Sequence, residues 1–357
     1  MYDDEFGVSS KPNGFTGYIM RGDAICATIE ENKITDIKSF APLQIQKRGD
    51  FNEWLEDRSA DLNRSYMRNI LKHLRLSVTD GVSAVKHVQA CSLVDTFWIK
   101  DKNSALNYSD VVFNNDLYFK AALAGDPDLF SKDRVHTPEV TNIGSYNKGW
   151  KFENGVWRMY KAGSPLEIWS EIFTSKLAER LNLEIVSYSC VDGFAVCDNF
   201  VKKNFCFEAA KALIGSDTGY AKNIAIMRKY GLLKKYLDII YMDAIVRNGD
   251  RHEFNYGFIT SGATIDLAPN FDNNMSMFWN GIPANMERKD MLVSELKEAL
   301  GGVEYSLPTL TVTDIQTAYQ SALSECKGKV TLPDIPLYTV TKFCMNAYTQ
   351  LLPQPSE

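Results

Sequence analysis

A chain of 357 residues with 45% hydrophobic content can bury a large core and divide into two or three units. Its charges are interspersed to a net −6 with a pI near 5.4, so it offers no basic stripe for direct nucleic-acid binding, and no apolar run approaches the roughly 20 residues that span a bilayer. Seven cysteines without a C-x-x-C pair, behind an acidic start (Met-Tyr-Asp-Asp-Glu-Phe), predict a cytoplasmic chain with reduced thiols and argue against disulfides, a zinc site or a secretory signal.

The first forty-odd residues predict strands: residues 15–20, 25–29 and 34–37 are short β-prone runs separated by turn-forming stretches. One of these, Arg21-Gly22-Asp23, reads as a plain turn rather than an integrin ligand. From Phe51 to about Val94 the pattern is helical, with Tyr66, Ile70 and Leu74, then Val82, Val85 and Val88, at three-to-four spacing. Without a clustered basic face this stretch reads as a small packed helical region rather than a helix-turn-helix. Residues 101–140, rich in Asn, Asp and Ser, predict an irregular connection along the surface. His73, His87 and His136 stand singly and suggest no metal site.

A strand is predicted over residues 139–143, followed by the glycine-bounded loop Gly144-Ser145-Tyr146-Asn147-Lys148-Gly149. Strands over 150–152 and 156–161 then flank Asn154-Gly155, a two-residue hairpin signal because both turn positions need positive φ. Glycines let backbone N–H groups approach phosphates, and Lys161 at the end of a strand supplies a fixed positive charge. Ser164-Pro165-Leu166-Glu167 predicts a helix start, with Ser as cap, Pro at the first position and Glu reaching back. That helix carries Leu166, Trp169, Phe173, Leu177 and Leu181 on one face, with Glu171 away from its centre, where an ordinary Glu faces solvent.

The apolar run Phe194-Ala195-Val196-Cys197 follows an Asp192-Gly193 turn. Leu232, Leu233, Tyr236, Leu237, Ile240, Tyr241, Ala244 and Ile245 then predict a buried helix that delivers residues 248–255 at its C-terminal end. A hairpin turning at Ser261-Gly262 leads into Ala268-Pro269-Asn270-Phe271-Asp272. Three amphipathic helices are predicted beyond it: 291–300, 314–324 behind Thr313 as cap, and 338–351.

The segment Asn248-Gly249-Asp250-Arg251-His252-Glu253-Phe254-Asn255, with Asp272 after the hairpin, is the most informative part of the chain. An Asp, an Asn five residues on and a second Asp are what a phosphotransferase needs. One carboxylate orients a hydroxyl, while an amide and a carboxylate hold Mg²⁺ against phosphates. Turn chemistry alone also gathers Asn, Gly and Asp, but it does not explain the return of Asp272. Arg251 fits either bracing Asp250 or neutralising phosphate. His252 reads as a residue that hydrogen-bonds backbone at the turn. Asp266 reads as solvent-facing rather than a third acidic ligand, and Asp243 is open between the same two roles.

Residues Gly144 to Asp272 carry motifs that resemble those of the HipA-like serine/threonine kinases, a bacterial branch of the protein-kinase-like fold. The resemblance implies an α+β, bilobal fold: an N-terminal β-then-α extension over 1–135, a β-rich small lobe over 136–200 and a helical large lobe over 201–357. It implies ATP and Mg²⁺ as cofactors, with Gly144, Ser145, Lys148, Gly149 and Lys161 at the phosphates. Glu171, preferred to Glu167, would pair with Lys161, and Val196 would sit at the adenine hinge. Asp250 would be the catalytic aspartate, supported by Lys161 and Arg251, and Asn255 with Asp272 would hold Mg²⁺. A protein substrate is implied, as is a helix-turn-helix antitoxin-type partner from a toxin–antitoxin pair. Ser145 is either a self-phosphorylation site or a residue that shapes the turn. Asn273-Asn274 stand where a eukaryotic kinase has Phe-Gly, which argues against an activation switch of that type. Two other readings fit the same motifs: a small-molecule or lipid-head-group kinase, and a catalytically idle nucleotide-binding partner of a DNA-binding repressor.

Overall fold

Period-two patterning at the start of the chain forms the predicted strands. In the computed structural model, which describes residues 14–125, 136–216, 219–282, 288 and 291–352, they are β1 (Gly17–Arg21), β2 (Ala24–Glu30) and β3 (Lys33–Ile37). With β4 (Phe97–Asp101) they make an antiparallel sheet of order β3-β2-β1-β4. Gly22-Asp23 forms the first turn. Glu31 and Asn32, with φ of 50° and 65°, form the second. A short helix not expected from the sequence, α1 (Leu43–Arg48), precedes the helical stretch, which becomes α2 (Phe51–Glu56), α3 (Met67–His73) and α4 (Gly81–His87). Ile19, Cys26 and Ile29 pack with Phe51, Trp54 and Leu55 in one core cluster, and Met20 and Trp98 with Ile70, Leu71 and Val88 in another.

The connection expected to be irregular contains α5 (Tyr108–Val111) and α6 (Phe119–Ala124). Val111, Tyr118 and Ala122 join the second core cluster rather than lying along the surface. The Asn and Asp residues there act partly as caps: Asn107 N donates to the Asp110 carboxylate at 2.8 Å. The strand expected over 139–143 is instead a 3₁₀ turn, Pro138–Thr141. Pro138 fixes φ at its first position and the Thr137 hydroxyl accepts from Glu139 N at 3.4 Å. Strands β5 (Lys148–Glu153) and β6 (Val156–Lys161) form the expected hairpin, with Asn154 and Gly155 at φ 52° and 82°.

Next come α7 (Pro165–Arg180), the antiparallel pair β7 (Ser189–Val191) and β8 (Phe194–Asp198), β9 (Cys206–Ala209), α8 (Lys211–Ile214), α9 (Tyr220–Lys229) and α10 (Leu233–Val246). Strands β10 (Gly257–Ser261) and β11 (Thr264–Leu267) turn at Gly262-Ala263 and join β9 in the order β11-β10-β9. The chain ends in α11 (Met291–Leu300), α12 (Val312–Cys326) and α13 (Leu337–Leu351). Helix α12 starts earlier than expected because Thr311, not Thr313, is its cap: Thr311 Oγ1 accepts from Asp314 N, and the Asp314 carboxylate accepts from Thr311 N, both at 3.2 Å.

Two compact units result. One comprises Met1–Lys161, Asp198–Leu213 and Phe258–Ile265; the other comprises Ala162–Cys197, Ile214–Gly257 and Asp266–Glu357. In the second, α7 packs on α12, and Trp169 meets Phe173, Phe278 and Tyr319 at ring-centroid distances of 5.0–6.4 Å. All seven cysteines are buried and unbridged. Among the described residues, no helix is long and apolar enough to cross a membrane.

Candidate active site

Helix α10 is buried along most of its length, and Arg247 ends it in the left-handed region at φ 56°. The chain then turns through residues 248–255. Asn248 is fully buried; its Nδ2 donates to Asp243 Oδ1 at 3.2 Å and Asn273 Oδ1 at 3.3 Å, while its Oδ1 accepts from Asp250 N at 3.3 Å. Asn255 closes the turn, its Nδ2 donating to Asp250 O at 2.7 Å and Asp250 Oδ2 at 3.3 Å. The expected catalytic aspartate and one expected metal ligand are therefore in direct contact. His252 takes the backbone role read from sequence, its Nδ1 accepting from Phe254 N at 3.2 Å.

Arg251 is held by a dense set of acceptors within the 248–255 turn and the 270–273 segment. Its side chain is 7% exposed. Nε and Nη2 donate to the two oxygens of Asp243 at 2.9 and 2.8 Å. Nη2 also reaches Asn270 Oδ1 at 2.8 Å and Asn273 Oδ1 at 2.7 Å, and Nη1 reaches the carbonyls of Asn255 and Phe271. The guanidinium thus ties the 248–255 turn to the 270–273 segment through rigid bidentate geometry. Burial alone would lower its pKa, but the Asp243 carboxylate raises it, so it stays charged. Asp243, left open by the sequence, is the buried counter-ion at 1% exposure. Its signal was a lone charge inside the apolar run Ile239–Val246. Asp266 does lie at the surface, paired with Lys235 at 2.8 Å.

Asp272 adopts φ 63°, a conformation rare for a residue with a Cβ but tolerated by Asp. The flanking residues hold it there. Asn270 exchanges backbone hydrogen bonds with Glu184 and Val186 at 3.0 and 2.8 Å, and Asn273 N donates to Glu171 Oε1 at 2.8 Å. Glu171 is fully buried rather than solvent-facing as an ordinary Glu would be, because α7 is enclosed on all sides at its middle. Asn273, which sequence reasoning noted only as a departure from Phe-Gly, is a hub joining Glu171, Arg251 and Asn248.

Burial raises the Asp250 carboxyl above its ordinary value; the His252 charge opposes this, and the Asp272 charge adds to it. Two carboxylates that repel, beside an amide whose nitrogen is already used, leave oxygens for a hard cation. Asp272 and Asn255 Oδ1 fit Mg²⁺ on this ground. Among the described residues there is no cluster of three His, Cys, Asp or Glu able to hold a metal.

The expected phosphate-binding residues of the first unit lie around the start of β5. Ser145 is exposed, and Lys161 is buried at the end of β6, directly across the ladder from Lys148. Gly144 has φ 117°, and a Cβ there would stand 2.4 Å from Lys148 Nζ. The positive φ favours glycine there, and the lysine end would have to shift for any larger residue. Gly149 differs from expectation: it is a strand residue, required because a Cβ would come within 3.0 Å of the Phe119 ring and carbonyl. In the second unit, Val196 sits buried in β8 opposite Ser189.

No protein-family model matches this chain, and no curated protein matches it in sequence. The structure of a Helicobacter pylori proinflammatory kinase, CtkA, is 16% identical over 57% of this chain and 90% of its own, with a TM-score of 0.40. HipA of Shewanella oneidensis MR-1, solved with HipB and operator DNA of a toxin–antitoxin system, is similar over 94% of this chain and 96% of its own, with 11% identity and a TM-score of 0.59. The expected α+β class is therefore the observed one, and the fold of this chain is HipA-like.

Proposed function

We propose that this chain is an ATP- and Mg²⁺-dependent phosphotransferase, of the HipA-like serine/threonine protein kinase type. The observation that carries the reading is the Asp250–Asn255 contact, fixed to Asp272 by the shared Arg251 and Asn273 anchors. Asp250 accepts a hydrogen bond from the acceptor hydroxyl and aligns it for in-line attack, a role that its raised pKa favours. Asp272 and Asn255 Oδ1 hold Mg²⁺, which neutralises phosphate charge when bound. Lys148 and Lys161 supply positive charge for the phosphates. Arg251 acts as a positioning residue rather than a phosphate ligand. Catalysis then rests on placement and electrostatics.

The preferred substrate is a protein hydroxyl, and the HipA complex supports a small DNA-binding antitoxin-type protein as a partner. Incubation with γ-labelled ATP, Mg²⁺ and a cell extract tests the reading. Label is expected on protein, and Asp272→Ala should abolish both transfer and the Mg²⁺ dependence of nucleotide binding. Label only on small metabolites would reassign the substrate class. Absence of Mg²⁺–ATP binding by the unaltered protein would end the proposal.

A further inference from the structure

Beneath the loop that follows the 3₁₀ turn lies a carboxylate that the catalytic reading does not use. Glu139 is 1% exposed, and its two oxygens accept from opposite ends of the loop. Oε2 accepts from Asn142 Nδ2 at 2.9 Å before the loop, and Oε1 from Trp150 N at 2.8 Å after it. Seven residues, 143–149, are thereby closed into a ring by one side chain.

The surroundings hold the backbone at the near end of the loop, and the Arg64 charge acts on the carboxylate. Arg64, 3% exposed, donates through Nη1 to Asn142 O at 3.0 Å and through Nη2 to Glu139 O at 3.4 Å. The Lys148 charge also acts on the Glu139 carboxylate. A buried carboxylate is costly unless its hydrogen bonds are made, so retaining one here is unusual for a purely packed core. The loop above it carries the positive φ of Gly144 and the exposed Ser145. Its last two residues, Lys148 and Gly149, already pair with Lys161 and Tyr160 in the β5–β6 ladder.

We infer that Glu139 is a positioning residue for nucleotide binding, a latch that holds both feet of the 143–149 loop so that its N–H groups and Lys148 meet phosphates in a preset geometry. The inference rests on the phosphotransferase reading of this loop. Preorganisation of this kind raises affinity by removing the ordering cost at binding.

The test compares Glu139→Met, Glu139→Gln and Asn142→Ala in the full chain, with two readouts. In nucleotide-free protein, amide exchange across 143–150 should speed up on the order of tenfold in Glu139→Met, which leaves Trp150 N and Asn142 Nδ2 without acceptors. Affinity for Mg²⁺–ATP should fall by a similar factor. Glu139→Gln should restore both to within a few-fold, because its carbonyl keeps Trp150 N and the Asn142 amide can turn to accept from the new Nε2. Asn142→Ala, which frees one foot only, should fall between and provides the answer if Glu139→Met does not fold. Wild-type affinity in Glu139→Met, or equal weakness in Glu139→Gln, would overturn the latch. Failure of the unaltered protein to bind Mg²⁺–ATP would instead count against the phosphotransferase itself, and the exchange readout would still show whether Glu139 holds the loop.

Discussion

Replacing Asp243 with Asn isolates the buried charge that organises the 248–255 turn. The side chain keeps its shape but offers Arg251 one oxygen in place of two, and turns an NH₂ toward a guanidinium N–H. Arg251 is 7% exposed and Asp243 1%, so water cannot compensate. Removing one partner of a buried pair costs about 3–5 kcal/mol. Arg251 retains four other acceptors, the carbonyls of Asn255 and Phe271 and the amides of Asn270 and Asn273, which places the loss near the lower bound, about 3 kcal/mol. At roughly 2–4 °C per kcal/mol for a folding unit of 150–250 residues, the melting temperature should drop by roughly 6–12 °C. Asp266→Asn is the matched control, because its ion pair with Lys235 has Asp266 50% exposed and such pairs contribute about 0–1 kcal/mol. Thermal unfolding of both variants by calorimetry decides the matter. Equal melting of the two, within about 2 °C, would refute the reasoning that Arg251 depends on Asp243.

Asp250→Asn should keep Mg²⁺–ATP binding but lose at least about 10²-fold in phosphate transfer, the contribution typical of a positioned acid–base group; an equal loss of affinity would make Asp250 a metal ligand. Ser145→Asp should weaken nucleotide binding in a titration while Ser145→Ala leaves it unchanged, since negative charge on the loop repels phosphates. Glu208, whose Oε1 accepts from Leu43 N at 3.0 Å at the start of α1, has its carboxyl pushed by burial from 4.5 to about 7. A raised carboxyl pKa means that the folded state binds the extra proton, so this group's stabilising share is complete below pH 4.5 and lost as pH rises to about 7. Wild-type stability should therefore fall between pH 5 and 8 relative to Glu208→Gln, by up to about 3 kcal/mol; parallel denaturant midpoints for the two proteins across that range would contradict it.

Features set by residues within about five positions of one another were legible in the sequence. Asn154-Gly155 makes its hairpin, and Ser164 with Pro165 and Glu167 starts α7 with a reciprocal cap. The apolar period ending at Val246 delivers the Asp250 turn, with Asn255 placed against Asp250 by its spacing of five. Local signals also compete: Thr311 and Thr313 both precede an acid or amide by three, and Asp314 settled it for Thr311. What the sequence could not fix depends on partners far along the chain. Glu171 is buried because α7 is enclosed and its carboxylate meets a backbone N–H 102 residues away. Arg251 is enclosed by acceptors that the sequence did not point to, because Asn270, Phe271 and Asn273 return to it after the β10–β11 hairpin. Glu139, inside the 138–141 turn, is buried because its carboxylate meets Trp150 N eleven residues on. A buried charge must find its hydrogen-bond partners wherever the fold brings them; period and propensity report only on near neighbours, so those partners were decided by the tertiary structure alone.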